Sequence, residues 1–133
     1  MRLYKEFHFE AAHYLPSAPA GHPNARVHGH SFRVRVTIHG NPDRRTGIFV
    51  HFEEFEAALA DARNALDHNL LNEVEGLAAP TLERIAMWLW DRLDGRLPGL
   101  HEVLVARDSC HEGAVYRGPR QRHAAGQRRW LAS

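Results

Sequence analysis

The segment His28-Gly29-His30-Ser31-Phe32-Arg33-Val34-Arg35-Val36-Thr37-Ile38 constrains this chain more than any other. From Phe32 onward apolar and polar residues alternate, the pattern of a strand buried on one face. Phe32, Val34, Val36 and Ile38 take one side; Arg33, Arg35 and Thr37 take the other. Residues two apart on a strand point the same way, so His28 and His30 share a face. A second alternating run, Leu3 to Glu10, is followed by His13. If the two strands pair side by side, three imidazoles converge and leave the fourth position of a zinc ion open, the arrangement of catalytic rather than structural zinc. The chain holds eleven histidines, so a His-x-His pair alone also arises from composition.

At 133 residues the chain suits one domain with a modest core and is too short for two independent folds. Its single cysteine, Cys110, excludes an intramolecular disulfide and any multi-cysteine metal site, and fits a reducing cytoplasm. Met1 to Glu6 carries charges where a signal peptide needs an apolar run, and no apolar stretch is long enough to span a bilayer. A soluble, cytoplasmic protein with no membrane partner is expected. The net charge of +1 is unevenly spread: Arg117, Arg120, Arg122, Arg128 and Arg129 crowd a C-terminal stretch without any acid. Such a tail can bind nucleic acid. Here only Trp130 accompanies the arginines, and Gly118-Pro119 with Ala124-Ala125-Gly126 reads as a solvated, poorly ordered end, so nucleic acid is not the expected partner. The boundaries read as a folded domain over 1–118 and an Arg-rich tail over 119–133.

Gly40 to Gly47 has the composition of a turn. After it, Phe52, Phe55, Leu59, Ala62 and Leu66 recur at three- and four-residue steps and predict an amphipathic helix. A second helix starts after Pro80, with Thr81 as its N-cap, buries Leu82, Ile85, Ala86, Leu89, Trp90 and Leu93, and stops at Gly95 and Pro98. Met87 and Trp88 widen its apolar face toward the core or a neighbouring subunit. His101 to Ser109 and Gly113 to Tyr116 read as a hairpin around Cys110-His111-Glu112. The order ββααββ favours an α+β fold, a four-stranded antiparallel sheet with both helices on one face. Both sheet edges are left open, and pairing into an oligomer is one way to remove them.

Several short motifs, in order, carry a resemblance: Phe9-Glu10-Ala11-Ala12-His13, Gly21-His22, His28-Gly29-His30-Ser31-Phe32, Leu66-Asp67-His68 with Leu71-Asn72, Pro80-Thr81-Leu82-Glu83, Trp88-Leu89-Trp90-Asp91 and Val115-Tyr116-Arg117-Gly118. From Leu3 to Gly118 the chain resembles the 6-pyruvoyl-tetrahydropterin synthase family, and within it the bacterial 6-carboxy-tetrahydropterin synthases of the queuosine pathway. The resemblance implies the tunnelling fold, or T-fold: an oligomeric barrel, a trimer or dimer of trimers, with active sites between subunits and a pterin-like substrate. It makes His13, His28 and His30 the zinc ligands and Asp67-His68 a proton-transferring pair. By itself an Asp-His pair after a helix is more often a cap or a surface pair.

The departures from the family pattern are equally specific. Asn24 occupies the place of the family's catalytic cysteine, and an amide offers no side-chain base near neutral pH. Ala25 follows it where a side-chain-cleaving sister group has a glutamate nearby. Asp108 stands in for the glutamate that grips the pterin ring; the lost methylene sets its carboxylate about 1.5 Å further back. His51 replaces an aspartate that opens the first helix and so weakens its cap. Cys110, which would share the face of Asp108 if the strand continued, and His22 are the remaining candidates for a replacement base; Cys110 reads first as a buried or hairpin residue and His22 as a loop-shaping one. The implied reaction is zinc-dependent conversion of 7,8-dihydroneopterin triphosphate to 6-carboxy-5,6,7,8-tetrahydropterin or 6-pyruvoyl-tetrahydropterin. The alternatives are altered zinc chemistry, aldol cleavage or epimerisation on a related pterin, and a pterin-binding paralogue without turnover.

Overall fold

The computed structural model describes residues 1–119. The expected tail lies outside the described residues apart from Pro119. Four strands, β1 (Arg2–His13), β2 (His28–His39), β3 (Leu100–Arg107) and β4 (Glu112–Tyr116), form one antiparallel sheet in sequence order. Two helices, α1 (Phe52–Leu66) and α2 (Leu82–Leu93), lie between β2 and β3 in sequence. The alternation in the sequence becomes the two faces of the sheet. Phe9, Phe32, Val34, Val36, Ile38, Val103 and Val105 are buried beneath the helices, while Arg33 and Arg35 stand on the outer face. The helices contribute Phe55, Leu59, Leu66, Ile85, Leu89 and Leu93 to the same core.

Local chemistry sets the helix ends. Thr81 caps α2, its hydroxyl accepting the Arg84 N–H at 3.1 Å. His51 makes no side-chain bond at the start of α1, as the missing aspartate implied; Glu53 and Glu54 in the first turn favour the positive end of the helix dipole instead. Phe52, on the predicted apolar stripe of α1, is 49% exposed, and Met87, expected in the core or against a neighbouring subunit, is 42% exposed and outside the core of this protomer. Each sits on the flank of its apolar stripe, beyond the arc that the sheet covers. Trp88 is half-buried and its indole N–H bonds the Glu75 carbonyl at 2.9 Å. No helix among the described residues is long and apolar enough to cross a membrane.

The edge of β1 is not fully open. The chain leaving α1 docks along it: His68 N–H donates to the Glu10 carbonyl at 2.6 Å, Ala12 N–H donates to Asn69 at 3.0 Å, and Ala12 forms a parallel bridge with Leu70. Asn72 then clamps Tyr14, accepting its N–H at 3.0 Å and donating to its carbonyl at 2.8 Å. These contacts bring 67–72 beside the end of β1 and thereby beside His13.

Candidate metal centre and its neighbours

The β1–β2 register puts His13 opposite His28 and Ala11 opposite His30. All three imidazoles therefore stand on the helix-side face, at the end of the sheet. Ring centroids lie 4.5 Å apart for His13 and His28, 5.1 Å for His13 and His30, and 4.9 Å for His28 and His30. One nitrogen from each lies within 4.8 Å of the other two, close enough to share an ion. The paired strands that the sequence required for convergence are present.

The hydrogen bonds prepare the nitrogens for a metal. His13 Nδ1 bonds the Pro80 carbonyl at 2.9 Å and His28 Nδ1 bonds the Arg26 carbonyl at 2.7 Å, so Nδ1 carries the proton and Nε2 keeps a lone pair. His13 Nε2 and His30 Nε2 are buried without any hydrogen-bond partner. Such orphaned ring nitrogens are costly to bury, and an ion shared between them would satisfy both. Burial, then the Arg107 charge and the neighbouring imidazoles, pushes the His30 value down to about 4. Burial also lowers His13, opposed by its bond to Pro80. Burial thus favours the neutral imidazole at His13 and His30, the form that binds a metal.

That neutrality predicts an acid-sensitive apoprotein. Below the ordinary value of 6.5 the unfolded chain takes up a proton that folded His30 refuses, so stability is present above 6.5 and lost as pH falls toward about 4. The loss is on the order of 1–3 kcal/mol. Thermal denaturation of chelated protein at about pH 7 and about pH 4.5 is expected to show a lower Tm at the acid value. A Tm that does not change between them would contradict the burial of neutral His30.

Asp67 and His68 reach the same region. Asp67 Oδ2 lies 3.0 Å from His68 Nδ1 and 3.2 Å from the Arg63 guanidinium, while Oδ1 accepts the Glu10 N–H at 2.9 Å. That backbone N–H, with His68 and Arg63, holds the carboxyl below its usual range. His68 has a left-handed backbone (φ 60°) and a side chain that is 77% exposed. His30 and His68 both line an open depression of ≈ 530 Å³ between β1, β2 and the docked segment.

Other expected residues lie elsewhere. Asn24 is exposed in a 3-10 turn (Pro23–Ala25), and its carbonyl accepts the Leu15 N–H at 2.8 Å; it does not line the depression. His22 shapes that loop, accepting the Asn24 N–H on Nδ1 at 3.0 Å. Asp108 begins a 3-10 turn (Asp108–Cys110) and its carboxylate lies on the sheet's outer face against Arg33. Because the chain leaves the strand there, Cys110 does not continue on the face of Asp108; it is exposed in the hairpin turn rather than buried. Arg107 and Glu112, paired across β3 and β4 by an ion pair, were not singled out from the sequence. The signal was present: Arg107 follows buried Val103 and Val105 by steps of two, so its guanidinium shares the triad's face.

Residues 2–119 match the model of a family described as 6-pyruvoyl tetrahydropterin synthase. The chain belongs to this family. It is similar to the 6-carboxy-5,6,7,8-tetrahydropterin synthase of Synechocystis, 41% identical across 89% of this chain and 94% of the relative. The Bacillus subtilis protein of the same name is 32% identical across 88% of this chain and 79% of the relative. The fold matches the 6-pyruvoyl tetrahydropterin synthase structure from Caenorhabditis elegans with a TM-score of 0.79, at 20% identity, over 89% of this chain and 95% of that one. The four strands and two helices are thus the T-fold of the 6-pyruvoyl tetrahydropterin synthase family, and the histidine triad is a metal site of the family's type.

Proposed function

We propose that this chain is a zinc-dependent lyase that converts 7,8-dihydroneopterin triphosphate and water to 6-carboxy-5,6,7,8-tetrahydropterin, acetaldehyde and triphosphate. One observation carries the reading: a single depression collects His30 of the metal triad and His68 of the Asp67-His68 pair. Support also comes from the identity to the Synechocystis synthase over most of both chains. His13, His28 and His30 would hold zinc, which when bound supplies Lewis acidity toward the substrate's side-chain oxygens. His68 would move the proton. Its Nδ1–H donates to Asp67, which leaves Nε2 to accept a proton from the substrate side chain, and the Asp67 charge stabilises the imidazolium that results.

Asp108 would grip the heterocycle. Its carboxylate stands on the sheet's outer face, away from the triad of its own protomer, so the substrate would lie between the Asp108 of one protomer and the triad of another. The trimeric or double-trimeric barrel of the family provides such an interface.

Asn24 favours a second reading, altered zinc chemistry such as aldol cleavage of a dihydroneopterin side chain. Its amide can hydrogen-bond a substrate hydroxyl but cannot replace the proton abstraction of a thiolate. Mass spectrometry of products after incubation of zinc-loaded protein with 7,8-dihydroneopterin triphosphate separates the readings. A zinc-dependent 6-carboxy product supports the first, cleavage without that product supports the second, and unchanged substrate argues for a binding protein. Under the first reading, Asn24→Cys is expected to raise 6-carboxy formation at least about ten-fold, the lower range of what a positioned proton-transfer group adds. No gain, with zinc content intact, would mean that the loop no longer serves that step.

A further inference from the structure

The outer face of the sheet carries a run of charged contacts that spans β1 and β2 and ends on Asp108, just beyond β3. Arg33 holds that carboxylate with both prongs of its fork, Nε to Oδ2 at 3.0 Å and Nη2 to Oδ1 at 3.1 Å. Its third nitrogen, Nη1, donates to Glu6 Oε2 at 3.1 Å. The same Glu6 oxygen accepts Arg35 Nε at 2.7 Å, and the Arg35 guanidinium lies 4.6 Å over the Tyr4 ring. Arg33 is consequently fixed to β1 and β2, and it ties the first residue beyond β3 to both.

Stability is a poor explanation for this arrangement. The Arg33 and Asp108 side chains are 26% and 60% exposed, and ion pairs in such surroundings contribute little. Geometry is what the clamp controls. Asp108 sits in a short turn just before His111, whose backbone is left-handed (φ 55°), and no strand pairing holds its side chain. A carboxylate offers about four acceptor positions, and the arginine fork uses two. The two that remain lie on opposite outer flanks of the carboxylate, and the oxygen on one flank can accept both the amino N–H and the ring N–H that a 2-amino-4-oxo heterocycle presents along one edge. The bonds from Arg33 also hold the Asp108 carboxyl below the usual carboxylate range.

We propose that Arg33 is the positioning residue for Asp108, and that the clamped pair sets specificity for a heterocycle with a guanidine-like 2-amino edge. This rests on the reading that Asp108 grips the heterocycle. The bidentate hold replaces, as fixity, the reach that aspartate lacks relative to glutamate.

The test measures two fluorescent ligands on zinc-loaded, full-length protein: pterin (2-amino-4-oxopteridine) and lumazine, its analogue with oxygen in place of the amino group. Arg33→Met is expected to weaken pterin binding at least about ten-fold, as for a lost charge-assisted contact, with lumazine affinity and zinc content unchanged. Arg33→Lys should lose nearly as much, because an ammonium cannot hold both oxygens at once. Pterin binding lost in Asp108→Ala but kept in Arg33→Met overturns the proposal and leaves the heterocycle reading standing. Equal losses of pterin and lumazine in Arg33→Met overturn it as well, since they mark a general structural defect. Wild-type protein that ignores pterin, or Asp108→Ala that still binds it, removes the reading itself and the proposal with it.

Discussion

Substitution of His30 by alanine is expected to leave a folded protein with almost no bound zinc and no measurable turnover. Among the described residues three imidazoles form the ligand set at the site, so removing one takes away a third of those donors. The loss in metal affinity should exceed the about 10–100-fold typical of removing an outer-shell partner. The fold should survive because His30 lies past the end of the packed strand face, whose continuous core runs from Phe32 to Ile38. Metal analysis after dialysis and a denaturation curve measure the two halves of this expectation. A second consequence separates it from general damage. Since burial of neutral His30 is a source of acid sensitivity, chelated His30→Ala should lose less Tm than chelated wild type between about pH 7 and about pH 4.5. Full zinc occupancy in the variant would place the metal elsewhere and remove the proposed reaction.

The triad was legible in the sequence because it needs only the two-residue period of strands and one pairing. His28 and His30 share a face by periodicity, and the register that buries Phe9 against Phe32 also brings His13 opposite His28. Helix bounds were equally local: a threonine hydroxyl and a stripe of apolar residues suffice to define α2. What escaped the sequence is contact between segments with no common period. The docking of 67–72 on β1 runs through backbone groups, which every residue carries, so no side-chain pattern announces it. That docking nevertheless brings Asp67 to Glu10 and His68 to the depression shared with His30. Only the family resemblance gave the Asp-His pair a role before its neighbours were known. The Arg33–Asp108 clamp was hidden for a related reason. Arg33 occupies an ordinary polar position in an alternating strand, and its partner is 75 residues away.

His68→Gly should separate stability from activity more sharply than any other change at the site. The His68 backbone is left-handed, a conformation that costs an L-residue roughly 1–2 kcal/mol and glycine almost nothing. Relief of that strain opposes the greater entropy of glycine in the unfolded chain, about 0.4–1 kcal/mol, so Tm should change little. Asp67 loses one partner but keeps the Glu10 N–H and Arg63, which hold it in place. The triad is untouched, and zinc content should match wild type. Turnover is nevertheless expected to fall about 10²–10⁴-fold, the usual contribution of a positioned proton-transfer group. His68→Ala is the informative companion, since it removes the same imidazole but puts a Cβ back at positive φ. It should show the same turnover as the glycine variant and a lower Tm. Equal activity in wild type and His68→Gly would deny the imidazole any part in moving protons, and the left-handed backbone would then be strain without a catalytic return. Loss of activity in step with loss of Tm across the two variants would point instead to distortion of the docked segment, because strain and chemistry would no longer be separable at this residue.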